Sequence, residues 1–234
     1  MKKLYYIIFI ILIILIFYCF FKSVIFYIDN KKIEVSFKET NSVSSFSNSD
    51  VILTYRNKYN NDDIIGILVI DGLNINELVV KGVDNSYYLN HDFYKKKKVM
   101  GWIFLDYRNS HDSFDSNNII YGHNMPNKTM FGSLSKVMTS SWRKNKNNLI
   151  ITYDTLTNNH KFKIFAIYKV DYTTDYLKTK FTSKEEFDKF VNMIRSRSNF
   201  KSDEKVEYGD KILTLSTCAD KGKKRLVVHA VLMD

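Results

Sequence analysis

Proline is almost absent: the 234-residue chain has one, Pro126. No proline-rich segment, no internal repeat and no low-complexity tract beyond one Ser/Asn stretch is present, which excludes repeat arrays and fibrous folds. Cysteine is nearly as scarce, with only Cys19 and Cys218. Cys19 lies in an apolar N-terminal run, so the two should not pair. An outer domain with one unpaired thiol and no disulfide asks for an explanation. Catalysis is one; a buried core thiol is the other, since free cysteine is among the most buried residue types. No metal is expected, because no second cysteine or carboxylate stands at ligand spacing from Cys218 or the histidines, and no carboxylate cluster calls for calcium. No cofactor motif is found either. Acidic residues are in the minority, 25 against 35 Lys and Arg, for a formal net charge of +10. The lysines are scattered, with one run at Lys95 to Lys98, and no nucleic-acid motif accompanies them. A basic surface facing anionic membrane or wall polymer, or simply a solvated lysine-rich surface, fits better than a nucleic-acid partner.

What the N-terminus has is a long apolar run. Met1-Lys2-Lys3 precedes uncharged residues 4–21, rich in Ile, Leu and Phe, long enough to span a bilayer with little to spare. The preceding lysines favour an N-terminus inside and the bulk of the chain outside. The rival is a cleaved signal peptide, but no Ala-x-Ala pattern follows the run. The expected organisation is a cytoplasmic tip and transmembrane anchor over 1–28, an extracellular stalk and short helical segment over 29–61, and a catalytic domain over 62–234. Residues 41–50, rich in Ser and Asn, read as stalk or loop, and Val51 to Tyr59 as a helix packed on the domain.

From Asp62 onward the pattern is of short strands. Residues 64–70, 75–80, 101–106, 118–122, 149–153 and 160–168 read as six, the last two a hairpin; Lys211 to Cys218 and Arg225 to Leu232 complete eight. Many short strands and few helices predict a mostly β fold, an eight-stranded closed or nearly closed barrel. Residues 85–90 read as a helical turn capped by Asp84 or Asn85, and Thr129 to Met138 as a short helix. One helix is strongly marked, between strands six and seven. Ser183-Lys184-Glu185-Glu186 is a capping box, and Phe187, Phe190, Val191 and Ile194 then form one apolar face.

Two strand ends carry chemistry. Ile212-Leu213-Thr214-Leu215-Ser216-Thr217-Cys218 stops at the cysteine, a polar loop with Gly222 follows, and Arg225 opens the next strand. A thiolate at the end of one strand and a guanidinium at the start of the next suit covalent catalysis, with the cation steadying developing negative charge. By residue type alone a surface ion pair is the favoured reading of Arg225. Of five histidines, His123 is the best-placed base, because it too stands at a strand end, after Gly122, whose freedom lets the backbone turn.

Thr214-Leu215-Ser216-Thr217-Cys218 with a downstream arginine resembles the active-site signature of sortases, and of class B in particular. Tyr121-Gly122-His123-Asn124, Asp84 to Leu89 and Leu105 to Asn109 are similar to class B motifs, and the helix at Ser183 to Arg197 sits where class B carries its extra helix. The resemblance covers roughly residues 62–232 in order, although the loop from Cys218 to Arg225 is short for the family. It implies a sortase-type β-barrel and a membrane-anchored cysteine transpeptidase of Gram-positive bacteria. It further implies that Cys218 is the nucleophile, His123 the acid and base, and Arg225 the oxyanion donor. Ser216, Thr217, Tyr176 and Leu177 become candidates for the substrate groove. The implied partners are secreted proteins with a C-terminal sorting signal, often of Asn-Pro-x-Thr type, and an amine of peptidoglycan precursor or of a pilin. A hydrolytic cysteine protease, a pilin polymerase and a non-enzymatic wall-binding module remain as alternatives.

Overall fold

The computed structural model describes residues 2–41, 48–157, 159–219 and 222–233. Most of the Ser/Asn stretch and two residues of the Cys218–Arg225 loop therefore lie outside the described residues. The chain divides into two units, Met1–Phe46 and Ser47–Asp234.

The first unit is a single helix, α1 (Lys2–Asn41), continuing well past the position where polar residues predict a stalk. Within it Tyr5–Ile25 has a mean hydropathy of 2.8 and is exposed, with no side chain in a protein core. At 1.5 Å per residue such a stretch reaches about 30 Å, the thickness of a bilayer's hydrocarbon layer.

The second unit opens with α2 (Asn48–Tyr59), which buries Val51, Ile52 and Tyr55, while Arg56 donates its Nε to the Ile64 carbonyl at 2.6 Å. Eight strands follow: β1 (Ile64–Ile70), β2 (Ile75–Val80), β3 (Phe104–Leu105), β4 (Asn117–Tyr121), β5 (Ile150–Thr155), β6 (Asn159–Asp171), β7 (Ile212–Ala219) and β8 (Lys224–Leu232). They close in the order β1-β2-β3-β4-β7-β8-β6-β5. The β2–β3 and β4–β7 pairs are parallel and the rest antiparallel. Closure removes sheet edges, so every strand has two partners and an apolar interior.

Two local expectations are corrected. The strand expected over 101–106 shrinks to two residues, because Gly101 adopts a left-handed φ of 54° and Trp102 gives its N–H to the Tyr88 carbonyl instead of a ladder partner. An added Cβ on Gly101 would lie 2.3 Å from the Tyr88 carbonyl oxygen. The helix expected over 129–138 is only a 3-10 turn, Leu134–Met138, followed by α3 (Ser140–Lys144). Lys128 and Met130 have positive φ, and Asn127 Oδ1 accepts from both the N–H and the hydroxyl of Thr129, so a local turn wins over a helix there.

The marked helix is α4 (Lys184–Arg197) with Ser183 as its cap, Oγ accepting from the Glu186 N–H at 3.3 Å. Glu186 reaches back one residue further than the capping-box pattern implies, to the N–H and hydroxyl of Thr182, and also meets Lys178. The apolar face of α4 packs with Tyr176 and Phe181 against Phe165, Ala166 and Tyr168 of β6, Ile212 of β7 and Val227 and Val231 of β8.

Among the described residues one histidine is fully buried in the core. His229 on β8 is fully buried between Tyr168 Oη, 2.9 Å from Nε2, and Thr214 Oγ1, 2.8 Å from Nδ1. Thr214 Oγ1 also sits 2.6 Å from the acceptor Asn117 Oδ1 and gives its proton there, so His229 carries its own proton on Nδ1 and accepts from Tyr168 at Nε2. Burial first, and then the nearby Arg197 charge, push its pKa down to about 3. Between pH 6.5 and about 3 the unfolded chain therefore binds a proton that the folded chain refuses, and stability falls as pH falls. Asp154, raised by burial to about 6, acts in the opposite sense below that pH, so the two partly cancel in wild type. The difference between variants isolates His229. His229→Gln is less stable at pH 7, and its deficit narrows by about 1.4 kcal/mol per pH unit as pH falls below 6.5. Urea unfolding of the detergent-solubilised chain at pH 7, 6 and 5 measures this; a deficit independent of pH would refute it.

Candidate active site

The site is built by strand register. Cys218 lies directly opposite Arg225 in the antiparallel β7–β8 pair. On its other side β7 runs parallel to β4, where Asn117 pairs with Ile212 and Tyr121 with Ser216, a constant offset of 95. The same offset carries His123 level with Cys218. Two bonds hold that register past the last formal pair: Gly122 N–H to the Ser216 carbonyl at 3.3 Å, and Thr217 Oγ1 to the Gly122 carbonyl at 2.7 Å. Neighbouring strands are about 4.8 Å apart, so three short ends bring the thiol, the imidazole and the guanidinium to one pole of the barrel.

Each is fixed locally. His123 Nε2 lies 2.8 Å from the Leu89 carbonyl, which can only accept, so Nε2 holds the proton and Nδ1 is the free base in the neutral ring. The His123 carbonyl accepts from Phe131 N–H at 3.0 Å. The glycine before it is needed for space and not for backbone freedom: a Cβ on Gly122 would lie 2.8 Å from the Phe131 ring. Cys218 is half-buried and reduced. Arg225 is half-buried, its guanidinium 5.1 Å from the centre of the Tyr172 ring, with Nη1 donating to the Gly222 and Lys224 carbonyls at 3.3 and 3.4 Å.

The four groove candidates separate. Ser216 is buried on the same face as Cys218, two residues before it, and its Oγ is 3.0 Å from Tyr176 Oη. The buried Tyr176 thus lies over that face from the segment between β6 and α4. Burial raises its phenol pKa, opposed by the Ser216 bond and the Arg225 charge. Leu177 is half-buried against the α4 core. Thr217 alternates to the other face, where its hydroxyl ties β7 to β4.

Sequence reasoning gives no role to one cluster beside this pole. Asp106, fully buried, receives Arg108 as a fork at 2.8 and 2.7 Å, Tyr121 Oη at 2.9 Å and Asn85 Nδ2 at 3.0 Å. Burial works to raise its pKa, but the bonds from Arg108 and Tyr121 outweigh it and hold the carboxyl below the usual range. This anion anchors Tyr121, two residues before His123. Asn85 also accepts from Tyr107 N–H, so the cap of the turn Tyr87–Leu89 is Asp84, whose Oδ1 takes the N–H groups of Ser86 and Tyr87. The signal is the presence of both motif blocks; nothing in a linear chain says that they meet.

A cavity of about 150 Å³ lies at the opposite end of the strands, bounded by His111, Phe114, Asn118, Tyr153 and His160, and shares no residue with this site. Among the described residues no three His, Cys, Asp or Glu side chains gather as metal ligands. The chemistry available is that of a thiol beside an imidazole and a permanent cation, all reachable from solvent.

The chain is similar to known proteins over most of its length. The family model for the sortase domain matches residues 68–233. Sortase B of Listeria monocytogenes is 35% identical over 182 residues, covering 74% of this chain and 71% of that protein. The crystal structure of sortase B from B. anthracis in complex with AAEK1 superimposes with a TM-score of 0.78 at 32% identity, over 89% of this chain and 98% of that one. A Staphylococcus aureus sortase B–substrate complex matches with a TM-score of 0.78 at 30% identity, over 87% and 94% of the two chains.

Proposed function

The chain belongs to the sortase family, as a class B cysteine transpeptidase, and on that premise we propose that it joins secreted proteins bearing a C-terminal sorting signal to a cell-wall amine, with Cys218, His123 and Arg225 as its catalytic residues. The observation that supports the reading is the register that pairs Cys218 with Arg225 on one side and, on the other, runs β4 beside β7 through Tyr121 and Gly122, next to His123.

The thiolate of Cys218 attacks the carbonyl carbon of the threonine in the sorting motif. The C=O electron pair moves onto oxygen, and the Arg225 guanidinium donates hydrogen bonds to that oxyanion as it forms, with a charge that no physiological pH removes. The C–N bond then breaks and the departing amine takes the proton from protonated His123. A thioester remains on Cys218. The acceptor amine attacks the thioester, loses a proton to neutral His123, and Cys218 leaves as thiolate. The segment of Tyr176 and Leu177 borders the approach to Cys218 for the peptide, Ser216 lies buried behind Tyr176, and Thr217 supports the strand beneath.

The proposed organisation keeps the apolar helix as an uncleaved anchor over residues 1–28, N-terminus inside, followed by residues 29–61 and the extracellular barrel of residues 62–234, with α2 docked on it. Its support is the length and hydropathy of Tyr5–Ile25 and the lysines before it. In the test, the detergent-solubilised chain is incubated with peptides of Asn-Pro-x-Thr, Leu-Pro-x-Thr and Ser-Pro-x-Thr type, and intact mass is read with and without an added amine. The expected result is an acyl adduct on Cys218 with the Asn-Pro-x-Thr peptide, discharged to the amine. An adduct that passes only to water would mark a hydrolase, and transfer only to a protein lysine a pilin polymerase.

A further inference from the structure

Several contacts converge on the short segment between β6 and α4 that carries Tyr176. From one side comes Asn117, the first residue of β4 and fully buried. Its Nδ2 donates to the carbonyls of Tyr176 and Lys178 at 3.3 and 2.9 Å, and its backbone N–H to that of Thr179 at 3.0 Å. Its Oδ1 is taken by Thr214 Oγ1 at 2.6 Å, which fixes the orientation of the amide and aims both donors at the segment. From the other side comes Arg197, in the last turn of α4, which forks onto the Asp175 carboxylate at 2.8 and 2.6 Å. A two-bond fork sets orientation as well as distance. Between these ties the backbone makes only a three-residue 3-10 turn, Asp175–Leu177, whose own cap has no side-chain bond. A single turn does not hold itself in water. Tyr176 and Leu177 anchor it by packing on the α4 core, and Asn117 and Arg197 fix its backbone and its acidic end.

We propose that Asn117 and Arg197 are positioning residues that clamp residues 175–179 into a preformed wall of the peptide groove beside Cys218. The proposal rests on the sortase reading of that site. Tyr176 is the part of the wall nearest the chemistry: its hydroxyl meets Ser216, two residues before Cys218, and its ring feels the Arg225 charge. Tyr172, at the start of the same connection, lies under the Arg225 guanidinium. A wall ordered before the peptide arrives costs no ordering at binding; a loosened wall is ordered by the peptide, which weakens binding and leaves the chemical step alone.

The test uses the detergent-solubilised full chain. Arg197→Gln and Asp175→Asn alter a pair whose side chains are 29% and 40% exposed; Asp175→Asn leaves the core untouched, while Arg197 also reaches the Tyr168 hydroxyl. Each single variant raises KM for the sorting peptide by about 5- to 10-fold, with kcat within twofold and the alkylation rate of Cys218 by iodoacetamide unchanged. The double variant costs less than the product of the two single ones, since the shared tie is lost only once. Hydrogen–deuterium exchange of residues 172–181 quickens at least tenfold in each while the strands keep their protection. Asn117→Ala gives the same signature; if it fails to fold, the Arg197 and Asp175 variants still decide. An unchanged KM, costs that multiply in the double variant, or unchanged exchange would each overturn the clamp. If wild type acylates with no sorting peptide, the functional reading falls instead, and the exchange measurement still judges the clamp by itself.

Discussion

Cys218→Ala forms no acyl adduct with any sorting peptide, and its turnover falls by at least about 10⁴-fold, the scale on which losing a covalent nucleophile is felt. No neighbouring group replaces it: Ser216 on the same face is buried against Tyr176, and Thr217 faces away with its hydroxyl on the Gly122 carbonyl. The barrel itself should survive, because Cys218 is only half-buried at a strand end, where removing one sulfur leaves no closed cavity. Urea midpoints within error of wild type, together with absent acylation, are the expected pair of results. Turnover within tenfold of wild type would refute the covalent mechanism. Wall binding unaffected by the substitution, with no acylation even in wild type, would support a non-enzymatic module.

The second large effect falls on His123. His123→Ala lowers kcat/KM for transfer by about 10²- to 10⁴-fold, the usual worth of a positioned acid and base. The same imidazole protonates the departing amine and deprotonates the arriving one, so both half-reactions slow. The tautomer makes the prediction specific. With Nε2 committed to the Leu89 carbonyl at 2.8 Å, only Nδ1 is free to exchange a proton with the reacting groups. His123→Gln can keep a donor to Leu89 yet cannot cycle a proton, so it should match the alanine variant in rate and the wild type in stability. A glutamine variant within tenfold of wild type would show that His123 positions the substrate and does no proton transfer.

The residues that this chemistry requires are legible in the sequence, for a local reason. A cysteine, an arginine and a histidine each sit where an apolar strand meets a polar loop, and strand ends are readable from periodicity. The helix α4 is legible for the same kind of reason: cap and apolar face are encoded within fifteen residues, and Phe187, Phe190, Val191 and Ile194 are all buried. Where local signals compete with longer-range ones, the pattern misleads. Residues 101–103 have strand composition, but Gly101 turns left-handed against the Tyr87–Leu89 turn and the strand is cut to Phe104–Leu105. Residues 129–133 have helical composition, but Asn127 offers Thr129 a closer partner.

Composition and pattern by themselves determined a mostly β chain with an apolar N-terminal helix, one unpaired thiol at a strand end, and a capped helix before the last two strands, because burial periodicity, capping and charge act over a few residues. Only the tertiary structure decided what lies beside what. The parallel β4–β7 pairing carries His123 level with Cys218 across 95 residues of sequence. Closure of the barrel sets Asp106, Arg108, Asn85 and Tyr121 around one buried carboxylate. Asn117 and Arg197 meet the Tyr176 segment from opposite sides. Apart from the local Asp106–Arg108 fork, these contacts join residues 15 or more positions apart, and a strand's sequence records which of its faces is buried but not which strand will be its neighbour.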